Sequence, residues 1–257
     1  MTEPRYVLWF SHGAASAVAA RLIVAEKVPN IHLVYTDPGA EHPDNERFRR
    51  ECETWIGHSV ETLKSEKYAD PWEVWEKRRY LVGPSGAPCT GELKKKLRYA
   101  YQRPDDIQVF GFTADPREMK RAERFREQNP EVNLRTPLIE RGLTKADCLG
   151  LLEAAGIEVP AMYRLGYDNN NCIGCVKGGA GYWNKIRVDF PEVFDRMAQL
   201  EQRVGATVLR RNGKRLPLIE LDPSAGRMSK PHDFECSLLC SGALDEIEGI
   251  EQEGDEA

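Results

Sequence analysis

The chain has 257 residues, 30% charged and 41% hydrophobic, long enough to bury a proper core as one domain or two. A mean hydropathy of −0.55 and no apolar run of spanning length argue against an integral membrane protein, so no membrane partner is expected. The net charge of −5 has one source: residues 243–257 hold seven acids and no Lys or Arg, and without them the balance is about +2, which excludes a strongly charged folded body.

That acidic stretch reads as a disordered, solvating tail. Met1–Arg5 lacks the pattern of a signal peptide, and the expected location is cytoplasmic. Seven cysteines in that compartment argue against a disulfide framework and for metal, cluster or thiol chemistry.

In chain order, Tyr6–Phe10 (YVLWF) has the apolar, β-rich composition of a buried strand. Ser11-His12-Gly13-Ala14-Ala15-Ser16 follows, small throughout except His12, and Ala17–Val24 reads as a buried helix. A strand, a small-residue turn and a helix start bring unpaired N–H groups and the positive end of the dipole together, which suits a phosphate. The same residues also serve as an ordinary strand-to-helix turn. Ile31–Tyr35 is a second strand, followed by the loop Thr36–Glu41, which opens Thr36-Asp37-Pro38-Gly39, and a helix over Asp44–Ile56 with Phe48, Cys52 and Trp55 on one face. Strand, helix, strand is the unit of a parallel sheet, and both loops would then face one crevice beyond the carboxyl ends of the strands.

Ser59–Leu63 is a third strand, and Asp70-Pro71 starts a helix running to Arg79. The loop Gly83–Thr90 is rich in breakers and sets Cys89 just before a basic helix, Gly91–Arg98, a setting that favours a thiolate. Ile107–Phe112 is a fourth strand leading to a helix with Arg117, Arg121 and Arg124. These cations are placed to meet a polyanion, or form a solvated, internally paired face. Val132–Thr136 is the last core strand, and the helix Thr144–Ala155 ends at Gly156 and carries Cys148 as a core thiol. Cys172-Ile173-Gly174-Cys175 is a two-thiol clip usable for zinc, an iron–sulfur cluster or redox chemistry. Helices at Gly181–Val188 and Pro191–Val204 precede a hairpin about Asn212-Gly213, whose arginines make an electropositive flap. The expected fold is α/β: a Rossmann-like, doubly wound, mostly parallel five-stranded sheet with a cysteine-bearing C-terminal extension. Its expected parts are a nucleotide-binding domain over 1–160, the extension over 161–242 and the tail over 243–257.

Several of these segments resemble one family. Ser11, Gly13 and Ser16 fall on the first, third and last positions of the S-G-G-x-D-S loop of the adenine-nucleotide α-hydrolase superfamily, the PP-loop ATP pyrophosphatases. His12 replaces a glycine and Ala15 replaces the aspartate, an aspartate that the branch of 3′-phosphoadenosine 5′-phosphosulfate (PAPS) reductases also lacks. Thr36–Gly39 resembles that branch's T-D-T-G turn. Ala87-Pro88-Cys89 with Leu93-Lys94, and Asn170–Gly179 (NNCIGCVKGG), resemble a PAPS-reductase-like group common in phages and prophages. The resemblance runs from Arg5 to Val204. Beyond it, Glu235-Cys236-Ser237-Leu238-Leu239 is loosely similar to the E-C-G-L-H end that carries the reductases' nucleophile.

The resemblance implies an enzyme binding ATP, adenylyl sulfate or PAPS through Ser11, His12, Gly13, Ala14, Ser16, Thr36, Asp37, Gly39, Arg117, Arg121 and Arg124. It also implies sulfur chemistry, of which two forms are open. In one, the Cys236 thiolate attacks a sulfonucleotide. In the other, ATP adenylates a nucleic-acid base before thiolation, with Lys94–Arg98 and the hairpin arginines guiding the nucleic acid. Cys89, Cys172 and Cys175, with Cys240 or Cys236 as a fourth ligand, are the expected metal centre. A four-iron–four-sulfur cluster is preferred over zinc there, since no histidine stands close to the C-x-x-C. A thiol protein as electron donor and a homodimer are the partners compatible with this chemistry, and a non-catalytic nucleotide-binding module is the remaining alternative.

Overall fold

Five short strands build the central sheet: β1 (Tyr6–Trp9), β2 (Ile31–Asp37), β3 (Val60–Lys64), β4 (Ile107–Val109) and β5 (Asn133–Arg135). The structure is a computed structural model and describes residues 3–227 together with Ala243 and Ile247. All strand pairs of this sheet are parallel, in the order β3-β2-β1-β4-β5. The chain winds outward from β1 to β3, then returns to the far side of β1, so the order reverses between β1 and β4. That reversal is the switch point at which open α/β sheets form a crevice. At the amino ends, Arg5 locks β1 to β4 through two 2.8 Å bonds to Asp106.

Helix α1 (Ala14–Ala25) is buried on nearly every side, which explains its all-round apolar sequence. It packs on α2 (Asn45–Ile56), α7 (Pro137–Glu140) and α8 (Lys145–Ala154). Cys52 and Cys148 are fully buried in this first core, as thiols acting as small apolar side chains. Strand β4 stops at Val109, short of the expected Phe112. Phe110 makes the last ladder bond, its N–H donating to the Arg135 carbonyl at 3.2 Å, and beyond it the rings of Phe110 and Phe112 stack on each other, 5.6 Å between centroids, and on Phe125 of α6 (Pro116–Gln128). Gly111 between them presses against the start of α1, where a Cβ would stand 2.8 Å from the Ala15 carbonyl oxygen.

Asp70 caps α3 (Pro71–Arg78) by accepting the Glu73 N–H at 2.8 Å. The basic helix is irregular. A short turn, α4 (Pro88–Thr90), passes through a π-helical stretch at Gly91–Lys95 into α5 (Lys96–Tyr101), a local widening that recurs at functional sites. After α9 (Ala161–Arg164), the extension folds as α10 (Ala180–Asp189), α11 (Pro191–Val204) and a hairpin of β6 (Leu209–Arg211) and β7 (Lys214–Leu216). Its core takes Trp72, Trp75, Leu81 and Ala87 from before residue 160 and packs them with Trp183, Met197, Leu200 and Leu218. Of the acidic stretch, Ala243 and Ile247 are helical and buried against the first core, so the disorder expected of the tail does not hold at these two positions. The rest of it, together with Cys236 and Cys240, lies outside the described residues.

One carboxylate fixes the hairpin. Glu201 on α11 is buried, and its two oxygens accept the backbone N–H groups of Val208 at 2.8 Å and Leu218 at 2.7 Å, on either side of the hairpin. Glu201→Ala strands two buried donors and is expected to cost about 1–3 kcal/mol for each group left unsatisfied. Urea unfolding of the two proteins checks this, and an unchanged midpoint would remove the clamp from the account.

Candidate functional site

The loop after β1 turns on His12, not on Gly13. His12 takes the left-handed conformation, φ 54°, while Gly13 is extended at φ −105°. The Ser16 hydroxyl donates to the Gly13 carbonyl at 2.9 Å and accepts the Ser11 N–H at 3.0 Å, closing the loop on itself. Ser11 Oγ lies 3.2 Å from it. At the helix start, the Tyr163 hydroxyl stands beside the backbone N–H groups of Ala14 and Asn170, which oppose the rise that burial gives its pKa. The unpaired donors expected there are therefore partly covered by a phenol from α9.

The left-handed turn sends the His12 ring inward, 3.8 Å from the Tyr35 ring between centroids and edge-on to Phe10. Its Nδ1 lies 3.2 Å from Glu41 Oε2. That oxygen also accepts Tyr35 Oη at 2.9 Å and Asn45 Nδ2 at 3.0 Å, and Lys94 Nζ reaches Glu41 Oε1 at 3.5 Å. Burial alone would raise the Glu41 carboxyl. The His12 hydrogen bond, the Lys94 charge and the Tyr35 hydroxyl outweigh burial and hold it below the usual range. His12 Nε2 is buried and has no hydrogen-bond partner among the described residues.

In the second loop, Thr36 lies within β2 opposite Leu63. The Asp37 carboxylate accepts the Gly39 N–H at 2.8 Å and pairs with Lys64 at 2.9 Å. Burial opposes its ionisation, but the Gly39 bond and the Lys64 charge hold it below the usual range. Gly39 needs to be glycine: φ is +72°, and a Cβ would collide with the Ala69 carbonyl.

The C-x-x-C loop sits on these two loops. Asn170 Nδ2 donates to the His12 carbonyl at 2.6 Å and to Asn45 Oδ1 at 2.8 Å. The Ile173 N–H donates to the Ala40 carbonyl at 2.9 Å. On the other side of the loop, Tyr182 of α10 accepts the Cys175 N–H at 2.8 Å and donates to the Cys172 carbonyl at 3.3 Å. Cys89, at the turn before the π-helical stretch, packs against the second core, beside Trp75. The three thiols share one neighbourhood: Cys172 feels the charges of both Cys175 and Cys89, and Cys89 feels Cys175. Burial pushes the Cys172 thiol up to about 12, with the Lys94 cation opposing. It also raises the Cys89 thiol, against the pull of the Trp75 N–H.

All three thiols are free of disulfides. Among the described residues, no three His, Cys, Asp or Glu side chains form a ready cage for an ion as the side chains stand. The donor set itself is compatible in kind with a thiolate-bound centre: partly buried, sulfur-rich and offset by the Lys94 cation. The expected ligand Cys240 and the expected nucleophile Cys236 lie outside the described residues.

The arginines of α6 stand apart from these contacts. Arg117, Arg121 and Arg124 are exposed, and Arg121 pairs with Glu118 at 3.2 Å while lying over the Phe112 ring. Among the described residues, none of the three is bonded to the Ser11–Ser16 loop. A different cation stands by the helix start. Lys145 Nζ lies 5.1 Å from the Tyr163 ring centroid and bonds the Asp168 carbonyl, and burial lowers its pKa against the pull of Asp168 and Asp115. Sequence reasoning misses Tyr35, Asn45, Lys145 and Tyr163, and reads Glu41 only as the end of a loop. No protein-family model matches the chain, and no curated protein matches it.

Because the folded Glu41 carboxyl titrates below its unfolded value, its contribution to stability is full above the unfolded pKa of about 4.3. It is lost as pH falls through the folded pKa. Glu41→Gln keeps the shape and removes the charge, and is expected to cost about 1–3 kcal/mol at neutral pH. Urea unfolding at neutral and acid pH checks this: the gap between variant and wild type should narrow in acid. A gap independent of pH would mean that the charge of Glu41 is not what its donors require.

Proposed function

We propose that the protein binds an adenine nucleotide at the carboxyl edge of the sheet and carries out sulfur chemistry there with its cysteine centre. One observation carries this reading. The C-x-x-C loop is bonded directly to the loops that follow β1 and β2, through Asn170 to the His12 carbonyl and Ile173 to the Ala40 carbonyl. Two segments far apart in the chain, each resembling PAPS reductases and their phage relatives, thus meet at one place. The unpartnered His12 Nε2 supports a ligand there, since a buried polar atom left without a partner costs about 1–3 kcal/mol.

In this reading the first turn of α1 and the Ser11 and Ser16 hydroxyls hold phosphate, with the Tyr163 hydroxyl moving off the Ala14 N–H. The Lys145 ammonium adds positive charge beside it. Lys94 and Glu41 join the nucleotide loops to the thiols. With a sulfonucleotide, a thiolate attacks the sulfur: an S–S bond forms, the S–O bond to the nucleotide breaks, and the nucleoside phosphate leaves with the electron pair. A thiol protein then reduces the S–S bond. An iron–sulfur cluster on Cys89, Cys172 and Cys175 would supply electron transfer or a binding position for sulfur. The gathering of three thiols also favours a second reading, in which ATP adenylates a nucleic-acid base that is then thiolated.

Calorimetric titration with ATP, adenylyl sulfate and PAPS tests the nucleotide site. The folded wild type is expected to bind at least one of them, and Gly13→Asp to abolish that binding. A Cβ at Gly13 would meet only the Tyr163 hydroxyl at 3.4 Å and Ser11 Oγ at 3.6 Å, so the added charge acts on the ligand more than on the fold. Binding of none of the three nucleotides would defeat the reading.

Anaerobically prepared protein is expected to be brown, with broad absorption around 400 nm. Cys89→Ser, Cys172→Ser and Cys175→Ser should each lose the colour, while Cys52→Ser and Cys148→Ser, in the first core, should keep it. Colourless protein with stoichiometric zinc would replace the cluster by a zinc site. Colourless protein without metal would leave the three residues as plain thiols.

A further inference from the structure

The β6–β7 hairpin carries a charge arrangement that folding alone does not explain. Its register sets Arg210 directly opposite Arg215 and Arg211 directly opposite Lys214. Successive residues of a strand point to opposite sides, so each side of the hairpin holds one like-charge pair. Like charges directly across a ladder destabilise it. All four side chains are exposed, and none makes an ion pair among the described residues. Asp222, the acid whose carboxylate feels Arg211, is already engaged by the Ser224 N–H and hydroxyl at 2.8 Å each.

The hairpin cannot relieve the repulsion by moving away. Glu201 holds the backbone on both sides of it, Leu209 and Val208 are buried in the second core, and Arg187 bonds the Leu218 and Leu221 carbonyls just beyond it. The tip turns tightly through Asn212 and Gly213, both left-handed at φ 51° and 75°, the geometry of a two-residue hairpin turn. Arg215 has a structural task, donating to the Gly205 carbonyl at the end of α11 at 2.7 Å. Arg210, Arg211 and Lys214 have no such bond among the described residues.

We infer that the β6–β7 hairpin is a nucleic-acid-binding element, with Arg210, Arg211 and Lys214 contacting phosphates of the backbone. A rigid, exposed ribbon with cations on both sides fits a continuous chain of phosphates better than one small anion, which would meet a single side. Contacts of this kind position the nucleic acid without reading its sequence. The inference stands on the hairpin alone and does not rest on the nucleotide site.

The test is fluorescence anisotropy of the full chain with a labelled RNA hairpin and a labelled DNA duplex, across a salt series. Wild type is expected to bind at least one probe, with affinity falling linearly in log–log form as salt rises. Each of Arg210→Ala, Arg211→Ala and Lys214→Ala is expected to weaken binding and to lower that slope by roughly 0.7–0.9. Arg50→Ala, an exposed cation on α2, should leave the slope unchanged. Thermal melts of the three hairpin variants should be unchanged or raised, since a like-charge pair is removed. Absence of binding at physiological salt, or a triple variant that binds with the wild-type slope, would overturn the inference. Equal weakening of heparin and nucleic acid supports backbone contact, while weakening of heparin alone overturns it. Gly13→Asp, which disables the nucleotide site, should bind both probes as wild type does, so failure of one reading is distinguishable from failure of the other.

Discussion

A single buried carboxylate ties the candidate site together. Glu41 accepts from His12 in the loop after β1, from Tyr35 on β2 and from Asn45 on α2, and pairs with Lys94 in the π-helical stretch. Separate segments of the chain thus converge on its two oxygens. Hydrogen bonds to an ionised group are the stronger kind, and they offset the burial that would otherwise neutralise the acid. Because a buried charge with its partners removed is costly, the loop after β1, the carboxyl end of β2 and the π-helical stretch are constrained as a set. Lys94 brings the stretch that follows Cys89 within reach of the nucleotide loops, which places the thiols and the crevice under one electrostatic arrangement.

The C-x-x-C loop joins the sheet edge to the second apolar core, in which Ile173 and Val176 pack. Its backbone is bonded to the loop after β2 through Ile173 and to Tyr182 of α10 through Cys175. Asn170, just upstream, reaches His12 and Asn45. A loop spanning between a sheet edge and a helical layer has few backbone groups free to move, and its thiols inherit that rigidity. This is the kind of support that a ligand set needs from its surroundings. Residues 161–227 therefore do more than follow the sheet in sequence: with α3 and the segment through Ala87 they form the wall against which Cys89 packs.

The sheet is legible in the sequence because buried strands need largely apolar runs, and Tyr6–Phe10, Ile31–Tyr35 and Ile107–Phe112 supply them. The end of β4 is not, because Phe110 and Phe112 look like strand residues, yet after the Phe110 bond to Arg135 the pairing ends and both rings gather on Phe125, a tertiary preference that overrides local propensity. The Asp37–Gly39 turn and the C-x-x-C can be read from residue type and spacing. Glu41 and Lys94 cannot: they lie 53 residues apart, and no periodicity links an acid at a loop end to a lysine in a basic helix. The α6 arginines are attractive from sequence as cations after a strand, yet the apolar side of that helix, Ala122 and Phe125, faces the protein and leaves them in solvent. Tyr163 gives no local signal, since its hydroxyl matters only through the approach of α9 to the start of α1.

His12 concentrates the departures of this loop from the pattern it resembles. The left-handed conformation costs a non-glycine residue about 1–2 kcal/mol, and its buried Nε2 adds the cost of an atom without a partner. A glycine at this position would remove both costs, and the resembling loops have one. What the glycine could not supply is a donor to Glu41 and a ring packed against Tyr35 and Phe10. Local strain that persists in a fold is held there by its surroundings and gathers at functional sites. The loop therefore differs in kind from a cradle made only of backbone: it places an imidazole, oriented through its Nδ1 by a buried carboxylate, against Tyr35 and Phe10, on a residue whose carbonyl is held by Asn170 just before the thiols.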